Sequence, residues 1–219
     1  MATTLASLTD RVEEILADSS NAIWSTTNIE EAIRQALHEY SQARPQDTIG
    51  TLTFAADSRE ISTSTLTTLL NVLEIWVPYT AAAPEYPPNV RAFRFFADAS
   101  LIYVTGPYSP VDEDVMRVFY TALQLIDDLD SAASTTVPDD DISTLAHGAA
   151  GFAATTRALD LSEQISVDRQ AGDAVHEWGQ RKLVDFRLQL AQIAMVRARQ
   201  FPESKVPAAN KDRFGSQWT

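Results

Sequence analysis

Hydrophobic residues change their spacing twice along this chain. Leu5, Leu8, Val12, Ile15 and Leu16 recur at three and four residues, so residues 4–17 are expected to form an amphipathic helix. Asp18-Ser-Ser-Asn21 interrupts it. Thr27 and Glu30 then have the spacing of a capping box, in which each side chain satisfies a free backbone N–H of the first turn. Ile29, Ile33, Ala36, Leu37 and Tyr40 form the inner stripe of a second helix. It ends before Pro45, because a residue preceding proline is pushed out of the helical conformation. Trp24, between the two helices, reads as packing against the body.

From Thr48 the period becomes two, the signature of strands. Residues 49–54 and 59–62 flank Asp57-Ser58 as an expected hairpin. Residues 70–77 form a strand that stops at Pro78. Residues 91–96 and 100–104 form a second hairpin, and 114–120 a last strand. Six short strands imply an antiparallel sandwich or barrel-like unit. Within it Phe93 and Phe95 share a face with Arg91, and Arg94 and Phe96 share the other, which reads as a core strand rather than a nucleic-acid stacking surface. The Pro-rich stretch 78–88 is expected to stand out from the sheet.

Residues 122–137, with Asp127, Asp128 and Asp130, read as a linker back to helices. Pro138 suits a first helical position, and Asp139 to Asp141 suit the positive end of the helix dipole. A third helix to about Val167 carries Gly148 and Gly151, small enough to admit a neighbouring helix. A fourth runs from about Asp168 to Arg199, with Val175, Trp178, Leu183, Phe186, Leu190 and Ile193 on or near one face. Residues 201–219 lose periodicity yet keep Phe201, Phe214 and Trp218 among Lys205, Lys211 and Arg213. Aromatic and basic anchors dominate interface energies, so this tail reads as a docking arm rather than a frayed end. The resulting architecture is α+β: a body of about four helices (1–47 and 122–200), a β-rich insertion (48–121) and an extended arm (201–219).

Composition narrows the function classes. The 219 residues contain no cysteine, which excludes disulfides and thiolate metal sites. Met1 to Leu5 lack the basic start of a signal peptide, and no apolar run is long enough to span a bilayer, so a soluble protein made in the cytoplasm is expected. The net charge of −13 is unevenly spread: residues 1–171 hold 9 basic and 25 acidic residues, whereas 172–219 hold eight basic and five acidic residues. An acidic body disfavours phosphate-backbone binding.

No catalytic kit accompanies the fold. There is no nucleophile elbow, phosphate loop or dinucleotide fingerprint. His38, His147 and His176 fall on different expected helices without partners at helical spacing. The acidic clusters Asp112-Glu-Asp114, Asp127-Asp128-x-Asp130 and Asp139-Asp-Asp141 lack the spacing of a calcium loop and read as solvated loops or helix starts. The expectation is therefore no enzyme, no metal and no cofactor.

The order of the motifs carries a resemblance. Val12-x-x-Ile-Leu, Trp24-Ser, Ile29-x-x-Ala-Ile33, Ala36-Leu-x-x-Tyr-Ser41 and Pro45 resemble the opening of tailed-bacteriophage head-to-tail adaptor (head completion) proteins. So do Val72-Leu-Glu-Ile-Trp-Val-Pro-Tyr79 with Phe93 and Val104, and Val118-Phe-Tyr-Thr121 through Leu129 and Thr135-Thr-Val-Pro138 into Gly148-Ala-Ala-Gly-Phe-Ala153. The likeness runs over most of residues 5–200. It implies a structural virion protein of the neck, a homo-oligomeric ring of about twelve copies under the portal, linking it to the tail or stopper protein. DNA would pass through without specific binding. It also implies that the C-terminal segment grips the portal, which makes Phe201, Lys205, Lys211, Arg213, Phe214 and Trp218 the docking candidates. Two other readings stay open: a tail-completion or stopper protein, and a virion-associated carbohydrate-active or lytic enzyme using the acids near Asp112 to Asp114 and Asp127 to Asp130.

Overall fold

The computed structural model describes residues 3–18, 22–55, 57–84, 86, 88–163 and 169–200. Its elements follow the order α1 (Leu5–Leu16), α2 (Thr26–Ala43), β1 (Gln46–Thr53), β2 (Glu60–Ser62), β3 (Leu69–Trp76), β4 (Phe93–Phe96), β5 (Leu101–Val104), β6 (Val115–Ala122), α3 (Ile142–Glu163) and α4 (Arg169–Gln200). Among the described residues the fold is α+β, with four long helices and two small antiparallel sheets.

Local chemistry sets the helix starts. Thr4 and Ser7 form a reciprocal capping box on α1: the Ser7 N–H donates to the Thr4 hydroxyl at 3.3 Å and the Thr4 N–H to the Ser7 hydroxyl at 3.0 Å. For α2 the expected box at Thr27 and Glu30 does not form. Ser25 is the cap, its extended backbone and hydroxyl accepting from the Asn28 N–H at 3.2 Å, and Thr27 already lies inside the helix. Three consecutive hydroxyl residues offer three possible starts, and spacing alone does not choose among them.

The insertion is a sandwich of two open three-stranded sheets, ordered β1-β6-β3 and β2-β5-β4, and neither closes into a barrel. β4 and β5 form the expected hairpin. The hairpin expected from residues 49–54 and 59–62 is not formed. β1 pairs with β6 across its whole length, from Gln46 opposite Ala122 to Thr53 opposite Val115, while β2 pairs with β5 in the other sheet. Inner-face residues Leu52, Val72, Ile75, Ile102, Val104, Met116, Val118 and Tyr120 build one core between the sheets. Gly50 sits there because a Cβ would stand 2.6 Å from a Leu66 methyl. The Pro-rich stretch leaves the sheet only in part. Tyr86 is fully in solvent, but Tyr79 returns its N–H to the Val115 carbonyl at 2.8 Å.

The helices have a separate core. Leu8, Val12, Trp24, Ile29, Ile33, Tyr40, Leu145, Phe186 and Leu190 are among its buried residues, so Trp24 packs as expected. α3 and α4 approach closely at Gly148, where a Cβ would lie 2.8 Å from the Phe186 ring, and at Gly151 beside Leu183. Residues 122–137 are no loose linker. Ile126, Leu129 and Val137 enter the helical core, the Leu5 N–H donates to the Asp127 carbonyl at 2.9 Å, and the Leu125 N–H to the Thr136 hydroxyl at 2.8 Å. Pro138 stands one step earlier than expected, capping a short 3₁₀ turn at Asp139–Asp141 that leads into α3. Among the described residues, no helix is long and apolar enough to cross a membrane.

Candidate interaction surfaces and the junction network

The body and the insertion meet at one polar junction. Pro45 and β1 leave the end of α2, and β6 returns beside them. Asp141, at the end of the 3₁₀ turn, is buried, and one of its carboxylate oxygens, Oδ2, accepts from the Tyr40 hydroxyl at 2.5 Å and from Arg44 Nη1 at 2.6 Å. Burial, and next the bond to Asp141, push the Tyr40 phenol well above its ordinary range. Around this triad, Gln124 Nε2 donates to the Arg44 carbonyl at 2.8 Å and the Gln124 N–H to the Ser41 hydroxyl at 3.0 Å. Arg197 of α4 closes the junction, donating to the Pro45 carbonyl and, at 2.6 Å, to Asp47 Oδ1. An open cleft of about 580 Å³ lies between these groups and Gln189, Gln192 and Ile193. Its charges are mutually paired: Arg44 with Asp141, Arg197 with Asp47. That chemistry fixes α2 to the start of α3 and ties α4 to β1 rather than activating a nucleophile.

The turn between α1 and α2 holds a second buried carboxylate. Asp18 accepts from the N–H groups of Ala22, Ile23 and Trp24 at 3.0, 2.8 and 2.9 Å. These bonds, that from Trp24 first, hold its carboxyl below the usual range.

Each acidic cluster has one member bound to a neighbouring side chain: Asp114, Asp130 and Asp141. Asp114 accepts from the Tyr108 hydroxyl at 2.5 Å and from the Val111 N–H at 2.9 Å. Burial and then Asp114 push the Tyr108 phenol up to about 12. Asp130 pairs with Arg34 at 2.9 Å, and among the described residues no group of three His, Asp or Glu side chains could hold a metal ion. His38 touches Gln42, and His147 lies 3.4 Å from Lys182 Nζ. Burial first, then Lys182, lower the His147 pKa against an opposing pull from Asp185.

Among the described residues two apolar faces are left uncovered. On α4, Val184, Leu188 and Met195 are 55%, 59% and 55% exposed, and with exposed Ala191 they fall at intervals of four, three and four residues. That spacing makes one narrow seam, on the side of α4 away from buried Leu183, Phe186 and Leu190. On the outer face of the β1-β6-β3 sheet, Ile49 and Leu73 are more than half exposed beside partly buried Phe119 and Trp76. There the Arg117 guanidinium lies 4.9 Å from the Tyr79 ring centre and 5.3 Å from that of Phe119, and its Nη1 donates to the Tyr79 hydroxyl at 2.8 Å.

Of the sequence-derived candidates, Phe201, Lys205, Lys211, Arg213, Phe214 and Trp218 lie outside the described residues. The Asp18 turn, the Asp141 triad, Arg197 and the outer seam of α4 were not foreseen. The seam alone had a readable signal, since Val184, Leu188 and Met195 sit at helical spacing in the sequence. Neither protein-family models nor curated proteins give a match to this chain.

Proposed function

We propose that this protein is a structural connector of a tailed-phage neck, a head-to-tail adaptor that assembles side by side as a ring beneath the portal and links it to the tail. The observation that carries the reading is the two-sided apolar character of α4. A helix apolar on opposite sides is normally covered on both, and among the described residues the bundle covers one side only. Closed rings form when one heterologous interface repeats, and α4 supplies a continuous half of such an interface. The element order, helices then β insertion then helices, is the one the resemblance implies. On this reading residues 201–219 dock on the portal, and the acidic body leaves passing DNA ungripped. The catalytic alternative is the weaker one, because Asp114 and Asp130 are each bound to a neighbouring side chain.

The test is a substitution at the centre of the seam. Leu188→Glu with Met195→Glu is expected to leave a folded monomer with unchanged circular dichroism. It should fail to form rings on purified portal, as seen by electron microscopy. Normal rings from this variant would remove α4 from the interface. Turnover of cell-wall or polysaccharide substrate, lost on Asp114→Asn, would overturn the connector reading itself.

A further inference from the structure

The exposed seam of α4 has a spacing that specifies what fits it. Val184, Leu188, Ala191, Met195 and Ala198 alternate intervals of four and three residues, and all five are exposed among the described residues. That alternation sets side chains of one helix into the holes of a second helix lying alongside. The occupant is therefore a helix.

The order of sizes along the seam says which helix. Turned end for end, the seam fits itself. In a register centred between residues 189 and 190, Leu188 faces Ala191 of the second copy and Val184 faces its Met195. Large meets small in the two central layers, the arrangement by which facing core positions fill space. A parallel pair would instead set Ala191 on Ala191 and leave a gap there. Charge selects the same direction. Past Val184 the seam positions are Arg181 and Glu177, paired with each other at 3.6 Å, and exposed Arg199 flanks the opposite end. The antiparallel register brings Arg199 of each copy towards Glu177 of the other. The parallel one sets Glu177 beside Glu177 and Arg199 beside Arg199. Arg187, on the flank of the seam, is already bound to Glu39 of its own chain at 2.8 Å. α4 is held in place by Phe186 and Leu190 in the helical core, so pairing requires no helix formation.

We propose that in the free chain the α4 seam is covered by the same seam of a second copy, as an antiparallel two-fold helix pair centred between residues 189 and 190. Such a contact uses one patch on both copies and closes at two. The inference does not rest on the connector reading, because it needs no portal. The two uses of the seam exclude each other: a ring takes the seam only after the pair has opened, so pairing holds the free chain back from assembly.

Sedimentation equilibrium of the full chain is expected to show a monomer–dimer equilibrium. Leu188→Glu, checked for folding by circular dichroism, should weaken it at least about a hundredfold, since each dimer then buries two carboxylates. A chain that stays monomeric up to near-millimolar concentration would overturn the proposal, as would a dimer that Leu188→Glu leaves intact. Cross-linking reads the register without placing a charge in the seam. The chain has no cysteine, so single thiols can be introduced at Val184→Cys and Met195→Cys. A mixture of the two variants should be joined by a short bismaleimide into mixed dimers. In this register the two copies of residue 195 lie about 16 Å apart along the helices, so Met195→Cys alone should join about tenfold less. Equal joining by Met195→Cys alone would overturn the antiparallel register, and a mixture that yields no mixed dimers would refute the pair.

Discussion

Asp141 is where one side chain decides most. Its carboxylate satisfies a buried phenol and an arginine at once, at 2.5 and 2.6 Å. Removing the carboxylate strands both partners, whereas removing the Tyr40 hydroxyl strands only one acceptor that Arg44 still serves. Asp141→Ala is therefore expected to cost about 3 kcal/mol and Tyr40→Phe about 1 kcal/mol. Urea midpoints at unchanged m-value check the ordering, and equal losses would refute it. His147 supplies a pH effect of definite sign. Its folded pKa lies below 6.5, so the unfolded chain takes up a proton first as pH falls. Its contribution is complete above that value and is lost progressively below it. Lys182→Ala removes the second-largest cause and should move the imidazole titration upward, as NMR of the ring protons would record.

At the scale of elements, the sequence was informative where the signal is local. The helix expected at 4–17 spans Leu5–Leu16, and the hairpin of β4 and β5 has the expected partners, because periodicity and turn residues sit within each segment. The hairpin between β1 and β2 was misread for the opposite reason. β1 takes its partner from β6, nearly seventy residues on, and alternation records which face a residue occupies but not which strand lies beside it. The stretch after Ala122 looked like a linker because its anchors, Ile126, Leu129 and Val137, follow no period. The Asp141 triad was invisible since Tyr40 and Asp141 are 101 residues apart. The close α3–α4 approach was legible in Gly148 and Gly151, and it carries its own prediction. In Gly148→Ala the new methyl meets the Phe186 ring at 2.8 Å. Overpacking of about 1–3 kcal/mol outweighs the gain of about 1 kcal/mol in helix propensity. A net loss of up to about 2 kcal/mol is expected, and Phe186→Leu in the same chain should recover part of it. A Gly148→Ala protein more stable than the parent would mean that the helices separate at little cost.

Among the described residues the molecule is two cores tied at one place. The helical core and the sheet core share no side chain. The chain leaves the body at Gln46 and returns at Ala122, which are paired neighbours, so the insertion closes on itself. What couples the two is the bond from Arg197 of α4 to Asp47 of β1, beside the Gln124 bonds to Arg44 and Ser41 that fix the chain where it re-enters the body. Arg197 is the tie that reaches from α4 into the insertion, and its removal touches neither core. Arg197→Ala is therefore expected to loosen cooperativity more than stability. In calorimetry the ratio of calorimetric to van't Hoff enthalpy should rise above that of the parent, the signature of units melting separately. Fluorescence can assign them, because Trp24 and Trp178 pack on the helical core while Trp76 belongs to β3. An unchanged enthalpy ratio in Arg197→Ala would place the coupling elsewhere, in the Gln124 bonds. Gln124→Ala, which removes the side-chain bonds to Arg44 and Thr136, would then be the substitution that splits the transition.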